Sequence, residues 1–583
     1  MGKMNTIIVD LLMVFLLVVT VGLILLLLVF GRKEENVETE DCFELTSLAR
    51  KVKDIINEII NQDVAILNLN ETESRKREEQ KKILKNAVRN CVYGGQGEKN
   101  YLKDYIKELL QNRLGITEDT IDLCLPFACP EEMKPRDMFD ILMHMKSKGN
   151  YKTAFLQLAE ENGWFQPKED NEGYHYVVTA EDIKNAYMKK VPYLNYSDRL
   201  EILVYRIYTY FGHGVIDMLR DNAIDGIAGG QSGFAEELYD YREQLKCRKD
   251  EHKKRYAYDS IWVQAKGIWI HLDFMSFQSA QELERVTRAL IKYDAPYELT
   301  RNCPKIFTDM KDGSRVTAMR PPLSETWTFF VRKFESAPKG LENSYSGEGV
   351  EKLIAYLKFL VKGSAHIAIT GAMGSGKTTL LKELICYINP TYNIRTSETM
   401  FELNVRKILP DRNIVPFRET EAVPMEELID GLKKTDASCI LLGEVSTEQL
   451  AYLSTQLAKI TEQQMLTCHP SSTEGLISYF RQALMNRGSF ANEKLATEEV
   501  TRSINIDVHT DKNTETGQRY VSYIYEILPG GNIRTLLQYS NGKYEVMAAP
   551  SDALMERLLK KIRTKEQDAF CELVAVSRDE EAA

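Results

Sequence analysis

The chain has 583 residues and a formal net charge of −10, with 44% hydrophobic and 27% charged residues. This length predicts roughly three or four domains instead of a single core. The composition is that of a folded protein, which excludes a largely disordered chain. The acidic balance also argues against a nucleic-acid-binding protein, which usually carries a basic excess.

The first predicted element is an apolar helix over Leu11–Phe30, which contains no charged residue and no proline. Its 20 residues, at 1.5 Å each, would span the roughly 30 Å of a membrane's hydrocarbon layer. A cleaved signal peptide is the alternative, but its apolar core would be shorter, roughly 7–15 residues, and a cleavage site would follow it. The charged sequence GRKEEN follows here instead. The segment therefore predicts a retained transmembrane anchor within residues 1–33.

Helical patterns dominate residues 34–195, where apolar residues recur with one-face spacing, for example over residues 52–60 and 102–110. No catalytic motif is visible there, so we expect a helical module without an assigned role. Residues 196–335 are predicted to form an α+β domain. Within it SIWVQAKGIWIHLDF is typical of strands and QELERVTRALIKY of a helix.

Residues 336–349 are rich in glycine, serine and proline and are predicted to form a linker. Strand and helix patterns then alternate through residues 350–545, with HIAIT, NIRTS, NIVPF, ASCILL and QQMLTC as the strands. This alternation predicts an α/β fold with a parallel sheet between helices. A C-terminal helix and tail occupy residues 546–583.

A phosphate-binding loop follows the first of these strands. The sequence GAMGSGKT fits the pattern G-x-x-x-x-G-K-[ST], with a strand before it and a helix after it. Its glycines let the backbone amides surround phosphates, Lys377 can reach the β- and γ-phosphates, and Thr378 can ligate Mg²⁺. We therefore predict ATP and Mg²⁺ as cofactors. The predicted nucleotide-binding residues are Gly371, Ala372, Met373, Gly374, Ser375, Gly376, Lys377, Thr378 and Thr379.

Acidic residues and a histidine follow three of the other predicted strands. Glu444 comes after CILLG, at a strand end where it could hold the metal or its water shell, so Thr378 and Glu444 are the predicted metal ligands. Glu398 and Glu402 are four residues apart, and either could polarise an attacking water. His469, in the sequence TCHP, lies at the end of another predicted strand, although a lone histidine is more often structural.

The order GAMGSGKT, ETMFEL, ILLGE and TCH resembles the motifs of the type II/IV secretion ATPases, most closely the Tad/Flp pilus-assembly branch. The resemblance extends over roughly residues 198–545. It implies a RecA-like P-loop ATPase domain preceded by an α+β N-terminal domain, and a homo-hexameric ring. It also implies that arginines of the N-terminal domain complete the ATP site. The arginines in the matching stretches are Arg315, Arg320 and Arg332.

The resemblance implies an ATP-hydrolysing motor for secretion or pilus assembly, working with an inner-membrane platform protein. With the predicted anchor, it places the chain at the bacterial cytoplasmic membrane, with one N-terminal span and most of the chain in the cytoplasm. Two positions depart from the family pattern: Thr399 replaces the usual aspartate, and Ser446 replaces the usual arginine. These departures leave a weakly hydrolysing, ATP-binding membrane assembly scaffold as an alternative. A conjugative-type secretion ATPase is a further alternative.

Overall fold

The computed structural model describes residues 43–63, 70–170, 173–235, 255–333, 338, 340–420, 422–513 and 516–575. The chain divides into two compact units, Met1–Lys333 and Phe334–Ala583, called here the N-terminal and the C-terminal unit. The boundary lies close to the predicted end of the α+β domain at residue 335, and the finer division of the chain into six parts stays a prediction.

Helices make up most of the first half of the N-terminal unit, as the apolar spacing predicted. Its α-helices in the described residues are α1 (Leu45–Asn61), α2 (Glu71–Asn90), α3 (Gln96–Asn112), α4 (Ile121–Cys124), α5 (Pro135–Asn150), α6 (Ala154–Glu161), α7 (Ala180–Lys189), α8 (Tyr196–Tyr208), α9 (Asp217–Arg220) and α10 (Ala280–Leu290). In α1, the buried residues Leu48, Val52 and Ile56 recur every four positions on the face that packs into the core.

The N-terminal unit also contains a seven-stranded sheet and a short two-stranded ribbon. The strands are β1 (Lys168–Asp170), β2 (Gly173–His175), β3 (Val177–Val178), β4 (Gly226–Gly229), β5 (Ile261–Ala265), β6 (Ile268–Leu272), β7 (Lys305–Asp309), β8 (Arg315–Met319) and β9 (Thr328–Arg332). The large sheet has the order β3-β6-β5-β4-β9-β8-β7, and β1 pairs with β2. One continuous apolar core joins the helices to this sheet, because side chains of both are buried in the same cluster.

The C-terminal unit alternates helices and strands, as predicted for residues 350–545. Its described helices are α11 (Leu341–Ser344), α12 (Val350–Lys362), α13 (Lys377–Ile385), α14 (Val405–Ile408), α15 (Met425–Leu432), α16 (Glu448–Ala458), α17 (Thr473–Asn486), α18 (Glu493–Ser503), α19 (Asp552–Lys561) and α20 (Thr564–Ala575). Its described strands are β10 (Ile367–Thr370), β11 (Ile394–Glu398), β12 (Ile414–Arg418), β13 (Cys439–Leu442), β14 (Gln463–Thr467), β15 (Ile506–Lys512), β16 (Arg519–Ile527), β17 (Ile533–Ser540) and β18 (Lys543–Val546).

These strands form one nine-stranded sheet in the order β12-β11-β13-β14-β10-β15-β16-β17-β18. The six strands from β12 to β15 are parallel, and β16, β17 and β18 continue the sheet antiparallel. Side chains of β10 alternate between two apolar clusters, with Ile367 and Ile369 in one and Ala368 in the other. The mixed α/β fold is therefore confirmed, with helices covering both faces of the parallel strands.

One helix start differs in detail from the prediction. The pattern STEQLAYL suggests Ser446 as the capping residue of the helix that follows Glu444. In the structure the cap of α16 is Thr447, whose side chain accepts a hydrogen bond from the Leu450 amide. Both residue types are good caps, and the backbone path after β13 decides between them.

Among the residues that the structure describes, no helix combines the length and the apolar content that a membrane span requires. The 20-residue helix α2, for example, carries the charged sequence ESRKREEQKK, which lipid would not accommodate. The predicted localisation at the bacterial cytoplasmic membrane is therefore wrong on this finding. The segment from which it was predicted, Leu11–Phe30, lies outside the described residues.

A group of buried charges joins helix α3 to the segment around α9 in the N-terminal unit. Lys99 and Asp217 are both fully buried, and Lys99 Nζ lies 3.3 Å from Asp217 Oδ2 and 3.0 Å from Asp221 Oδ1. The ring of His213 contacts Asp217 Oδ1 through Nδ1 at 3.1 Å. Burial alone would raise the pKa of Asp217, but Lys99 and His213 hold this pKa well below its usual range.

Replacing Asp217 with asparagine is expected to destabilise the N-terminal unit by about 3–5 kcal/mol, because Lys99 would remain buried without its full counter-charge. The four tryptophans, Trp164, Trp262, Trp269 and Trp327, all belong to this unit. Tryptophan fluorescence during urea unfolding of the full chain therefore reports the effect on this unit.

Glu201→Gln is the matched control, because Glu201 pairs with Lys107 at 3.8 Å on the surface. Exposed pairs contribute no more than about 1 kcal/mol, so this variant should unfold close to wild type. Equal unfolding midpoints for wild type and Asp217→Asn would contradict the stabilising role of the buried pair.

Candidate functional site

The predicted site residues of the C-terminal unit lie at one edge of its sheet. Strands β11, β13, β14 and β10 run parallel, so their carboxyl ends share this edge. Glu398 ends β11, Glu444 follows β13 after Gly443, and His469 follows β14. The glycine loop, residues 371–376, follows β10. Ligands of open α/β sheets bind at such an edge, and the topology brings the four motifs to it from distant parts of the sequence.

The glycine loop has the backbone conformation that a phosphate-binding loop requires. Gly371, Gly374 and Gly376 have φ angles of 136°, 78° and 102°, which side-chain-bearing residues rarely adopt. Helix α13 begins directly after the loop, at Lys377, so its N-terminal amides face the same region. Met373 and Thr379 are exposed, whereas Ser375 is buried. This arrangement fits the phosphates of a nucleotide.

Lys377, His469 and Glu444 form a chain of contacts across three strand ends. Lys377 Nζ donates to the carbonyl oxygens of Gly371 and Ala372, each at 2.9 Å, and lies 3.3 Å from Nδ1 of His469. The other ring nitrogen of His469, Nε2, lies 2.7 Å from Glu444 Oε1. The structure thus brings together three residues that the sequence assigned to separate motifs.

The two glutamates of ETMFEL have different surroundings. Glu398 is buried, and its Oε2 accepts from the backbone amides of Glu402 and Leu403 at 2.8 Å each. Its Oε1 accepts from Thr396 Oγ1 at 2.8 Å. Burial raises the pKa of Glu398. Both carboxylate oxygens of Glu398 are engaged in holding this turn, whereas Glu402 is partly exposed, and which of the two orients a water molecule stays a prediction.

The predicted arginines lie on and beside two strands of the N-terminal unit. Arg315 on β8 and Arg332 on β9 are directly opposite each other in the antiparallel register. The Arg320 guanidinium stacks over the Trp327 ring at 4.7 Å, and its Nε donates to the Pro321 carbonyl at 3.1 Å. Their proposed role in completing an ATP site stays a prediction.

Strands β15 and β16 support the glycine loop, and none of the predicted motifs lies on them. Thr510 Oγ1 donates to the Thr370 carbonyl at 3.0 Å and lies 2.8 Å from Ser375 Oγ, while Arg519 Nε donates to the Gly374 carbonyl at 3.1 Å. The pairing of β15 with β16 shifts by one residue between His509 and Thr510, and such bulges redirect side chains beside functional sites. No motif marks these residues, because their role arises only from strand pairing.

Among the described residues, no group of three or more His, Cys, Asp or Glu side chains could hold a metal ion by itself. Thr378 and Glu444 are the predicted protein contributors, and their assignment remains a prediction.

The parallel sheet, the glycine loop and the helix that follows it define a P-loop nucleotide-binding domain. Residues 313–505 match the family model described as type II/IV secretion system protein. The chain thus carries a type II/IV secretion family domain, which confirms the resemblance of its motifs at this level. The Tad/Flp branch stays a prediction.

Solved structures of several secretion and pilus proteins resemble the chain. The VirB11 ATPase of the Brucella suis type IV secretion system is 18% identical, with 52% of this chain and 89% of that chain covered and a TM-score of 0.27. The Legionella pneumophila ATPase DotB is 14% identical, with 60% and 84% covered and a TM-score of 0.34. The pilus retraction motor PilT is 12% identical, with 60% and 86% covered and a TM-score of 0.37. These weak likenesses carry no function across to this chain.

No curated protein matches the chain.

Gly371→Ala is expected to abolish nucleotide binding. A Cβ at this position would overlap the carbonyl oxygen of Thr510, and a φ of 136° is strained for alanine. The loop would have to leave β15, which would disrupt its amide cradle. The check is the dissociation constant of a fluorescent ATP analogue, measured with the full chain.

The control is Gly431→Ala in helix α15, where an added Cβ meets no atom within 4 Å. This variant should bind the analogue as wild type does. Wild-type affinity in Gly371→Ala would show that the loop does not need its close contact with β15.

Proposed function

We propose that the chain is an ATP-hydrolysing motor of a bacterial type II/IV-type secretion or pilus-assembly system. The observation that carries this proposal is the contact chain from Lys377 through His469 to Glu444 beside the glycine loop. The secretion-family match over residues 313–505 includes all three of these residues and therefore supports the choice of system.

Each residue has a role that follows from its position. Lys377 now donates to two loop carbonyls, and its ammonium group can exchange them for phosphate oxygens. Thr378 and Glu444 would hold Mg²⁺ or its waters, and Glu402 would orient the attacking water. Bound Mg²⁺–ATP supplies the phosphoryl bond that is cleaved and the metal charge that neutralises the leaving phosphates.

His469 is the residue through which this chemistry would reach the rest of the unit. Its ring contacts the lysine of the loop on one side and Glu444 on the other. Withdrawal of Lys377 toward phosphate would break the first contact and leave His469 with Glu444 alone. We infer that this exchange reports nucleotide binding to the segment between β14 and α17.

The finer parts of the proposal rest on the four-motif resemblance. It supports a homo-hexameric ring of the Tad/Flp type in which Arg315, Arg320 and Arg332 complete the ATP site. It also supports an inner-membrane platform protein as the partner. The net charge of −10 favours a protein partner over direct contact with nucleic acid.

The decisive measurement is phosphate release from ATP by the full chain. Lys377→Ala and Glu444→Gln should each lower the rate by about 100-fold or more, because each removes a group that stabilises charge at the phosphates or the metal. Lys382→Ala, on the same helix α13 but outside the loop, is the matched control and should retain the wild-type rate.

A wild-type rate no higher than that of Lys377→Ala, with ATP still bound, would contradict the motor. It would favour an ATP-binding assembly scaffold with little turnover, the alternative suggested by Thr399 and Ser446. Both of these residues are exposed beside the site.

A further inference from the structure

A buried carboxylate, Asp507, lies beneath the glycine loop and belongs to none of the four motifs. It lies on β15 beside Ala368 of β10 and has no exposed surface. Its Oδ1 accepts a hydrogen bond from Thr370 Oγ1 and its Oδ2 accepts one from Thr473 Oγ1, both at 2.6 Å. One side chain therefore joins two segments that are distant in sequence.

These two segments lead to Lys377 and His469, which contact each other in the site. Thr370 is the last residue of β10 and directly precedes Gly371, the first residue of the glycine loop. Thr473 is the first residue of α17, and the segment between it and β14 contains His469. Asp507 thus holds the base of the Lys377 loop and the base of the His469 segment at a fixed separation. At the surface the same two segments touch through Lys377 and His469.

The hydrogen bonds around Asp507 have one consistent direction. Thr370 has a single hydroxyl proton, which it donates to Asp507, so its oxygen must accept from Nδ1 of His509 at 2.8 Å. The His509 ring is stacked on Tyr523 with centroids 4.8 Å apart, which fixes its orientation. The two threonine hydroxyls therefore donate to Asp507, and His509 donates to Thr370.

A charged group at this place is costly, because no cation in the described residues pairs with it. Burial raises the pKa of Asp507 to about 6, while the two threonine hydroxyls oppose this rise and Glu474 of α17 adds to it. The other titratable groups around it are the Cys468 thiol after β14, His509 on its own strand and the Tyr523 phenol on β16. A neutral side chain would fill the position at lower cost, so a function is the simpler reason for a carboxylate.

We propose that Asp507 is a positioning residue that couples the glycine loop to the His469 segment, so that the site distinguishes a nucleoside triphosphate from a diphosphate. The inference rests on the proposed function, because it assumes that the loop holds nucleotide. With the two segments fixed at their bases, a γ-phosphate that draws Lys377 away must act on His469. Without Asp507 the two segments can move independently, and the γ-phosphate loses this effect.

The test compares the affinities of the full chain for two probes, the non-hydrolysable triphosphate adenylyl imidodiphosphate and ADP. In Asp507→Asn, the amide nitrogen cannot accept a hydrogen bond, so the threonine that faces it can no longer donate to this side chain. Thr473→Val removes the hydroxyl that donates to Asp507 Oδ2 and leaves the carboxylate in place. Both variants should retain ADP affinity within about threefold and lower the triphosphate-to-diphosphate affinity ratio by about tenfold.

Two further variants separate positioning from folding. Thr473→Ser keeps the hydroxyl and should restore the wild-type ratio. Glu526→Gln is the matched control, because Glu526 is a buried carboxylate on the adjacent strand β16 that accepts from the backbone amide and the hydroxyl of Ser551. Its partners belong to the start of α19, away from both site segments, so both affinities should stay at wild-type values.

A double variant decides whether Asp507 acts through His469. If it does, Asp507→Asn combined with His469→Ala should lower the affinity ratio no further than His469→Ala alone. If the double variant instead lowers the ratio by the product of the two single effects, the residues act independently and the proposal is overturned. An equal loss of triphosphate and diphosphate affinity in Asp507→Asn would also overturn it, because that result indicates damage to the fold. An unchanged ratio in both Asp507→Asn and Thr473→Val would also overturn it.

Neither probe needs to be hydrolysed, so the two proposals can fail separately. A chain that binds both probes and shows the coupling, yet releases no phosphate from ATP, would overturn the motor and leave the positioning role standing. A chain that hydrolyses ATP and shows no coupling would overturn the positioning role of Asp507 and leave the motor standing.

Discussion

The parallel pairing of β10 with β14 on one side and with β15 on the other is the constraint on which the site depends. It places the glycine loop between the His469 segment and Thr510, and it leaves no room for a side chain at Gly371. Because all these strands end at one edge, small changes in strand spacing would separate groups that must lie within hydrogen-bonding distance. The sheet therefore sets the distances between the site residues, and the loops that carry them are positioned by the strand ends.

Buried charge is handled differently in the two units. In the N-terminal unit, Asp217 is compensated by the ammonium group of Lys99, and together they join helix α3 to the core. In the C-terminal unit, Asp507 accepts from two threonine hydroxyls, and no cation of the described residues pairs with it. The first arrangement is suited to fixing structure, since removal of one partner is costly. The second leaves a carboxylate that depends on the positions of two functional segments.

Strands β10 and β13 could be predicted from the sequence because each is a short, largely apolar run. The predicted strands HIAIT and ASCILL correspond to β10 and β13, with starts one or two residues later than the pattern suggested. Prediction was weaker where polar residues are buried. Strand β15 reads IDVHTDK, with an aspartate, a histidine and a threonine on buried positions, so its pattern does not indicate a central strand. The residues of β15 that support the loop were missed for this reason.

The sequence by itself determined the glycine loop, its lysine and the acidic and histidine motifs, because phosphate binding requires particular residue types at fixed local spacing. It also determined the alternation of strands and helices, since that alternation is a local pattern. Only the tertiary structure decided that Glu398 is buried and holds a turn through both carboxylate oxygens while Glu402 is partly exposed, and that His469 lies between Lys377 and Glu444. Only the tertiary structure showed that Asp507 joins two of these segments. Contacts between side chains far apart in the chain depend on strand order and register, and no local spacing in the sequence specifies these.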